Sequence, residues 1–282
     1  MLNLIKCNMK NILIPTDLTD CTKNTISYAI ALGVKSNTKL FFYHTETSQE
    51  RSNKEYAIKF IKDIFNEQHL NFEKSQVEFI IENVAFSNAQ IKSTIEKFNI
   101  DLVIMGASHE GLKTTFFGSH VSKLINDVSC PVLSIPHDYN NINIDRIGYA
   151  TELFDLSERV REIVPFAKLF NASIEAFHVY PVFPQTIDVE KYDVKKSLSQ
   201  LQNENSYSKI NLHFIKTTFD NEPITGIREF IKSYKPDMLV MCHKPSGLFD
   251  KLIMDSGTTP AIVKTSPIPV LALNQKSVCK IM

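Results

Sequence analysis

The stretch NILIPTDLTD, residues 11–20, returns in altered form as RIGYATELFD, residues 146–155. Each stretch is a short, mostly apolar run followed by a threonine and a carboxylate, which is Asp17 in the first and Glu152 in the second. Short apolar runs of this kind are typical of buried β-strands. Strands of the same design are therefore predicted early in each half of the chain.

The landmarks that follow these two strands repeat at almost the same intervals. Asp17 lies 84 positions before Asp101, and Glu152 lies 85 positions before Asp237. KLFFYHTE aligns with SIEAFHVY and CPVLSIP aligns with IPVLALN, which also matches His44 with His178 and Pro131 with Pro269. This agreement predicts a tandem duplication with domains at residues 9–139 and 145–275, joined near the Asn-rich stretch HDYNNINID.

Within each copy, apolar runs alternate with helical patterns. The first copy offers NILIP, KLFFYHT, VEFIIEN, DLVIMG and PVLSIP as strands, with amphipathic stretches between them. The strand runs are apolar throughout, as expected for strands that helices cover on both faces. The order βαβαβαβαβ predicts an α/β fold with two tandem, doubly wound, parallel, five-stranded sheets.

Composition excludes several classes of protein. Of the 282 residues 43% are apolar and 22% are charged, which is typical of a globular protein. Basic and acidic residues number 31 each, so the charge favours neither nucleic acid nor a membrane as partner. The five cysteines form no CxxC pair, and MLNLIKCNMK does not resemble a signal peptide. We therefore expect a cytoplasmic protein with free thiols.

Ligands of doubly wound sheets bind beyond the carboxyl ends of the strands, where the strand order reverses. In the first copy this rule selects the residues at three strand ends. They are Pro15, Thr16 and Asp17 after the first strand, His44 and Thr45 after the second, and the loop that begins at Met105 and Gly106.

These residues carry a family resemblance. The first strand ends in PTD, the second in His, and DLVIMGAS, FFGS and CPVL follow in order, which resembles the universal stress protein family in its tandem form. The resemblance implies an adenine nucleotide alpha hydrolase-like fold, with the two domains packed as an intrachain pseudo-dimer that can pair further into a homodimer. ATP-binding members have a G-x-x-G-x9-G-(S/T) loop, whereas other members lack it and bind no nucleotide.

The resemblance implies that Asp17 and the end of the second strand hold adenine and ribose, while loop glycines and a hydroxyl hold the phosphates of ATP, with or without Mg²⁺. Gly106 and the Gly118–Ser119 pair fit this role, because backbone N–H groups at a helix start attract phosphate. The loop MGASHEGLKTTFFGSH, residues 105–120, departs from the pattern at His109, which replaces a glycine. It also has eight residues rather than nine before Gly118. His109 and His120 are therefore included among the candidate binding residues.

The corresponding loop of the second copy, CHKPSGLFDKLIMDSG, is less favourable. Cys242 replaces the first glycine, Asp255 replaces the last, and Pro245 removes a backbone donor. A carboxylate at Asp255 would repel phosphate. We therefore expect that the second copy does not bind ATP in the manner of the family.

Several interpretations of the function and of single residues stay open. The chain is either a nucleotide-dependent regulator with slow or no hydrolysis, a protein-interaction module with an unknown partner, or a receptor for another small ligand. Asp17 can cap the following helix as well as bind ribose. The repeated histidines His44 and His178 favour a role in the fold over a role in binding.

Overall fold

The computed structural model describes residues 9–46, 54–72, 76–107, 121, 124–125, 127–180, 193–217, 222–243, 262 and 265–274. The first copy contains β1 (Asn11–Pro15), α1 (Lys23–Ser36), β2 (Lys39–Thr45), α2 (Lys54–Glu67), β3 (Val77–Glu82), α3 (Asn88–Phe98), β4 (Leu102–Gly106) and β5 (Val132–Ile135). The second contains β6 (Arg146–Ala150), α4 (Leu156–Phe170), β7 (Ser173–Tyr180), α5 (Val194–Asn205), β8 (Ile210–Lys216), α6 (Pro223–Tyr234), β9 (Met238–His243) and β10 (Val270–Asn274).

The strand order is the same in the two copies. In the first copy the parallel strands lie in the order β3-β2-β1-β4-β5, and in the second β8-β7-β6-β9. The chain runs outward from β1 to β3 and then crosses to the other side of β1. This reversal is the switch point that a doubly wound sheet requires, and it confirms the predicted α/β fold.

The last strand of the chain pairs differently from the others. β10 runs antiparallel to β5, with Leu271 opposite Leu133 and Val270 opposite Ser134. Contacts group β10 with β1–β5 in one compact unit, while β6–β9 form the other. The final strands of the two copies thus pair with each other.

The central strands are covered on both faces, as their composition predicts. Ile12, Leu13 and Ile14 of β1 have no exposed surface, and Val103 and Ile104 of β4 are equally buried. Burial of this kind removes apolar area from water along the whole strand, which is the main stabilising contribution to such a sheet.

The repeated aspartates have a structural explanation. Asp101 Oδ2 accepts hydrogen bonds from the backbone N–H groups of Lys10 (2.8 Å) and Asn11 (3.0 Å). Asp237 Oδ2 accepts from Asp145 (2.8 Å) and Arg146 (2.9 Å) in the second copy. Each carboxylate satisfies two donors where the first strand of its copy begins, so its repetition serves the fold.

Candidate functional site

The turns after β1 and β6 are built in the same way. Thr16 Oγ1 accepts a hydrogen bond from the N–H of Leu18 (3.0 Å), and Thr151 Oγ1 accepts from Leu153 (3.0 Å). Leu18 and Leu153 both have positive φ, at 57° and 70°. A non-glycine residue seldom adopts this conformation, so the buried threonine must hold the turn in place. The two copies therefore present strand ends of the same backbone shape.

The repeated histidines support these turns. His44 Nδ1 lies 2.9 Å from the carbonyl oxygen of Thr16, and His178 Nδ1 lies 2.8 Å from that of Thr151. A carbonyl oxygen can only accept, so Nδ1 carries the proton in both rings. Each histidine thus links the second strand of its copy to the turn after the first, which accounts for its repetition.

Beyond this shared contact the two histidines differ. His44 Nε2 faces Glu46 Oε1 at 3.3 Å, whereas Tyr180 stands at the corresponding position two residues after His178. Burial lowers the pKa of His178. A charged group therefore lies beside the histidine of the first copy, while the histidine of the second copy favours the neutral form.

Asp17 takes part in the turn that leads into α1. Its Oδ1 accepts hydrogen bonds from the N–H and the hydroxyl of Thr19, at 3.0 and 2.7 Å, and from the hydroxyl of Thr22 at 3.1 Å. Within the part of the chain that the structure describes, Oδ2 accepts no hydrogen bond. The carboxylate thus organises the turn with one oxygen and keeps the other for a further donor.

The remaining predicted residues of the first copy fall into three groups. The side chains of Pro15 and Met105 are buried beneath the strand ends, and Thr45 is half-buried. Gly106 ends β4, where an added Cβ would lie 3.1 Å from Thr25 Oγ1. His109, Gly118, Ser119 and His120 lie outside the described residues. Thr16, Asp17 and His44 are therefore brought together, with Gly106 at the end of β4, the strand that neighbours β1.

The corresponding crevice of the second copy contains a buried ion-pair cluster that the sequence did not predict. Arg159 Nη1 lies 2.8 Å from Glu162 Oε2, and Arg159 Nε lies 3.3 Å from Asp155 Oδ2. All three side chains are less than a tenth exposed. Because Arg159 and Glu162 are three residues apart on α4, their spacing resembles that of an ordinary solvated helix pair.

Cys242 and Tyr149 complete this cluster at the strand ends. Cys242 on β9 holds the position of Gly106 on β4, and Tyr149 on β6 holds the position of Ile14 on β1. Tyr149 is hydrogen-bonded to Cys242, and burial raises the pKa of both groups, to about 12 for the thiol. A raised pKa favours the protonated form of the thiol.

Two classes of feature are absent from the described ranges. No helix there combines the length and the apolar character that crossing a membrane requires. Those same residues contain no group of three or more His, Cys, Asp or Glu side chains arranged to hold a metal ion.

Comparisons with known proteins agree with this architecture. A sequence model described as the universal stress protein family matches residues 8–136 and 143–274. A universal stress protein from Archaeoglobus fulgidus is 18% identical with a TM-score of 0.66, and the alignment covers 96% of this chain and 98% of that one. A functionally unknown protein from Pseudomonas aeruginosa is 16% identical with a TM-score of 0.68, with 96% and 94% covered. The curated proteins contain no match.

Proposed function

The chain belongs to the universal stress protein family, and on this premise we propose that its first copy binds an adenine nucleotide such as ATP and acts as a nucleotide-dependent regulator, not as an enzyme. The second copy, by contrast, supports the structure and binds no nucleotide. We infer these different roles because the two crevices share their backbone shape but differ in the side chains at their strand ends.

The main observation that supports the proposal is Gly106 at the end of β4. A phosphate that approaches the end of β4 needs space close to the backbone, and a glycine leaves that space because it lacks Cβ. An added Cβ would lie 3.1 Å from Thr25 Oγ1 on α1, so a larger residue at this position would have to displace Thr25 or move the end of β4. At the same point of the second copy, Cys242 fills the space beside Tyr149.

The residues of the first copy suit binding. In this proposal Asp17 Oδ2 accepts a hydrogen bond from a ribose hydroxyl, which is supported by the engagement of Oδ1 with Thr19 and Thr22. His44 is held by Thr16, so its ring positions the turn instead of transferring protons. By family resemblance Gly118 and Ser119 would hold the phosphates, with Mg²⁺ neutralising part of their charge. A cytoplasmic location supplies the nucleotide.

The experiment is nucleotide binding by calorimetry on the full chain, together with release of adenine absorbance on denaturation. We expect one equivalent of ATP per chain. Gly106→Cys, which copies the second crevice into the first, should weaken binding at least about tenfold. The matched variant Cys242→Gly should leave the stoichiometry at one. No binding at millimolar Mg-ATP, or unchanged affinity in Gly106→Cys, would refute the proposal.

A further inference from the structure

A cavity lies at the opposite end of the first copy from the proposed nucleotide crevice. It occupies about 230 Å³ between the end of α1, the start of β2 and the segment after α2. Its walls include Val34, Thr38, Leu40, Leu70 and Gln76. Because β2 begins at Lys39 and its carboxyl end lies at Thr45, this cavity is at the amino ends of the strands.

The second copy shows what this space can hold. The segment after α2 and the segment after α5 begin alike, with one residue at positive φ, His69 (56°) and Ser206 (47°). The next residue, Leu70 or Tyr207, donates its N–H back to the helix, at 2.9 Å in the first copy and 3.0 Å in the second. Tyr207 therefore holds the position of Leu70.

The ring of Tyr207 occupies the place that is a cavity in the first copy. Its hydroxyl donates to the carbonyl oxygen of Ala172, and Lys168 Nζ lies 5.8 Å from its ring centroid. Ala172 corresponds to Thr38, because each donates its N–H to the residue five positions earlier, in the last turn of the preceding helix. In the same register, Lys168 corresponds to Val34. Thr38 and Val34 both line the cavity.

We propose that this cavity binds a small aromatic molecule carrying a hydroxyl group, a ligand of the phenol class. The ring lies against Val34, Leu40 and Leu70, and the hydroxyl donates to the carbonyl oxygen of Thr38, as Tyr207 does to Ala172. Apolar cavities of roughly 150 Å³ accept a benzene ring, so the size is sufficient. An aromatic ring with one polar group also suits a half-polar wall.

The probe for a direct experiment is 4-methylphenol, because this molecule is the free equivalent of the Tyr207 side chain. We expect saturable binding to the full chain, seen by calorimetry and by shifts of the Leu40 and Leu70 methyl signals in NMR spectra. Leu70→Tyr, which fills the cavity from within, should weaken this binding at least about tenfold. Tyr207→Leu, which empties the equivalent place, should add a second site.

Two further arms complete the test. Val34→Phe fills the cavity from α1, where Val34 is 42% exposed and tolerates change, and it replaces Leu70→Tyr if that variant does not fold. The methyl ether of 4-methylphenol keeps the ring and lacks the donor, and it should bind several-fold more weakly, by on the order of one hydrogen bond. Undiminished binding in the filled variants, or no binding to the unaltered chain, would overturn the proposal. Nucleotide binding does not enter these readouts.

Discussion

Replacing Arg159 with methionine should destabilise the second copy strongly. The Arg159 side chain is 4% exposed, and its partners Asp155 and Glu162 are 9% and 7% exposed. Methionine keeps the apolar contacts of the stem but leaves two buried carboxylates without their cation. Removing one side of a buried ion pair costs about 3–5 kcal/mol. Since the contact with Asp155 is long, at 3.3 Å, we expect a loss of about 3 kcal/mol in the free energy of unfolding.

The assay is urea unfolding followed by circular dichroism, with Arg161→Met as the control. Arg161 lies on the same helix with an exposed side chain, so its replacement should change the free energy of unfolding by less than about 0.5 kcal/mol. Burial raises the pKa of Glu162, and loss of Arg159 would raise it further. The defect should therefore shrink as the pH falls, because Glu162, with its raised pKa, takes up a proton and no longer needs the cation. Equal destabilisation by both replacements would refute the reasoning.

Three further predictions concern stability. Ser134→Ala should raise the free energy of unfolding by about 1 kcal/mol, because the buried hydroxyl has no hydrogen-bond partner in the described chain. The reverse change Ala272→Ser, at the aligned position, should lower it by a similar amount. Urea titrations measure both changes. The hydrogen bond from His213 lowers the pKa of Glu175 to about 2, so this carboxylate stabilises the fold above about pH 4.5 by about 3 kcal/mol. That contribution disappears as the pH falls toward 2, and Glu175→Gln should abolish this part of the acid dependence of unfolding. Asp101→Ala should lower the free energy of unfolding by about 1–3 kcal/mol, because two backbone N–H groups lose their acceptor. Thermal unfolding would detect this loss.

Much of the fold could be predicted because burial leaves a pattern in the sequence. The β1 run is buried along its length, and a strand covered on both faces has no alternative but apolar residues. Asp101 and Asp237 could be aligned because each holds the start of a strand. The antiparallel pairing of β10 with β5 could not be predicted, since a strand's own residues encode its burial but not the direction of its neighbour.

The candidate site was less predictable for a physical reason. Repetition of His44 and His178 correctly indicated a role in the fold, because both rings hold the same carbonyl group. The ion pair of Arg159 and Glu162 was missed, since charged residues three apart on a helix are usually exposed. Only the burial of the neighbouring apolar residues on α4 distinguishes this pair from a surface pair, and burial is a tertiary property.

At both ends of the sheet, the second copy has a larger side chain than the first copy at the corresponding position. At the carboxyl ends, Gly106 of the first copy is replaced by Cys242 in the second. At the amino ends, the cavity beside Leu70 is replaced by the ring of Tyr207. A hydrogen-bonded side chain that fills a cavity stabilises the fold without a ligand. An unfilled cavity lowers stability unless a ligand binds there. Selection for stability alone would favour the larger side chain in both copies, which is the reason that we propose ligands for the first copy.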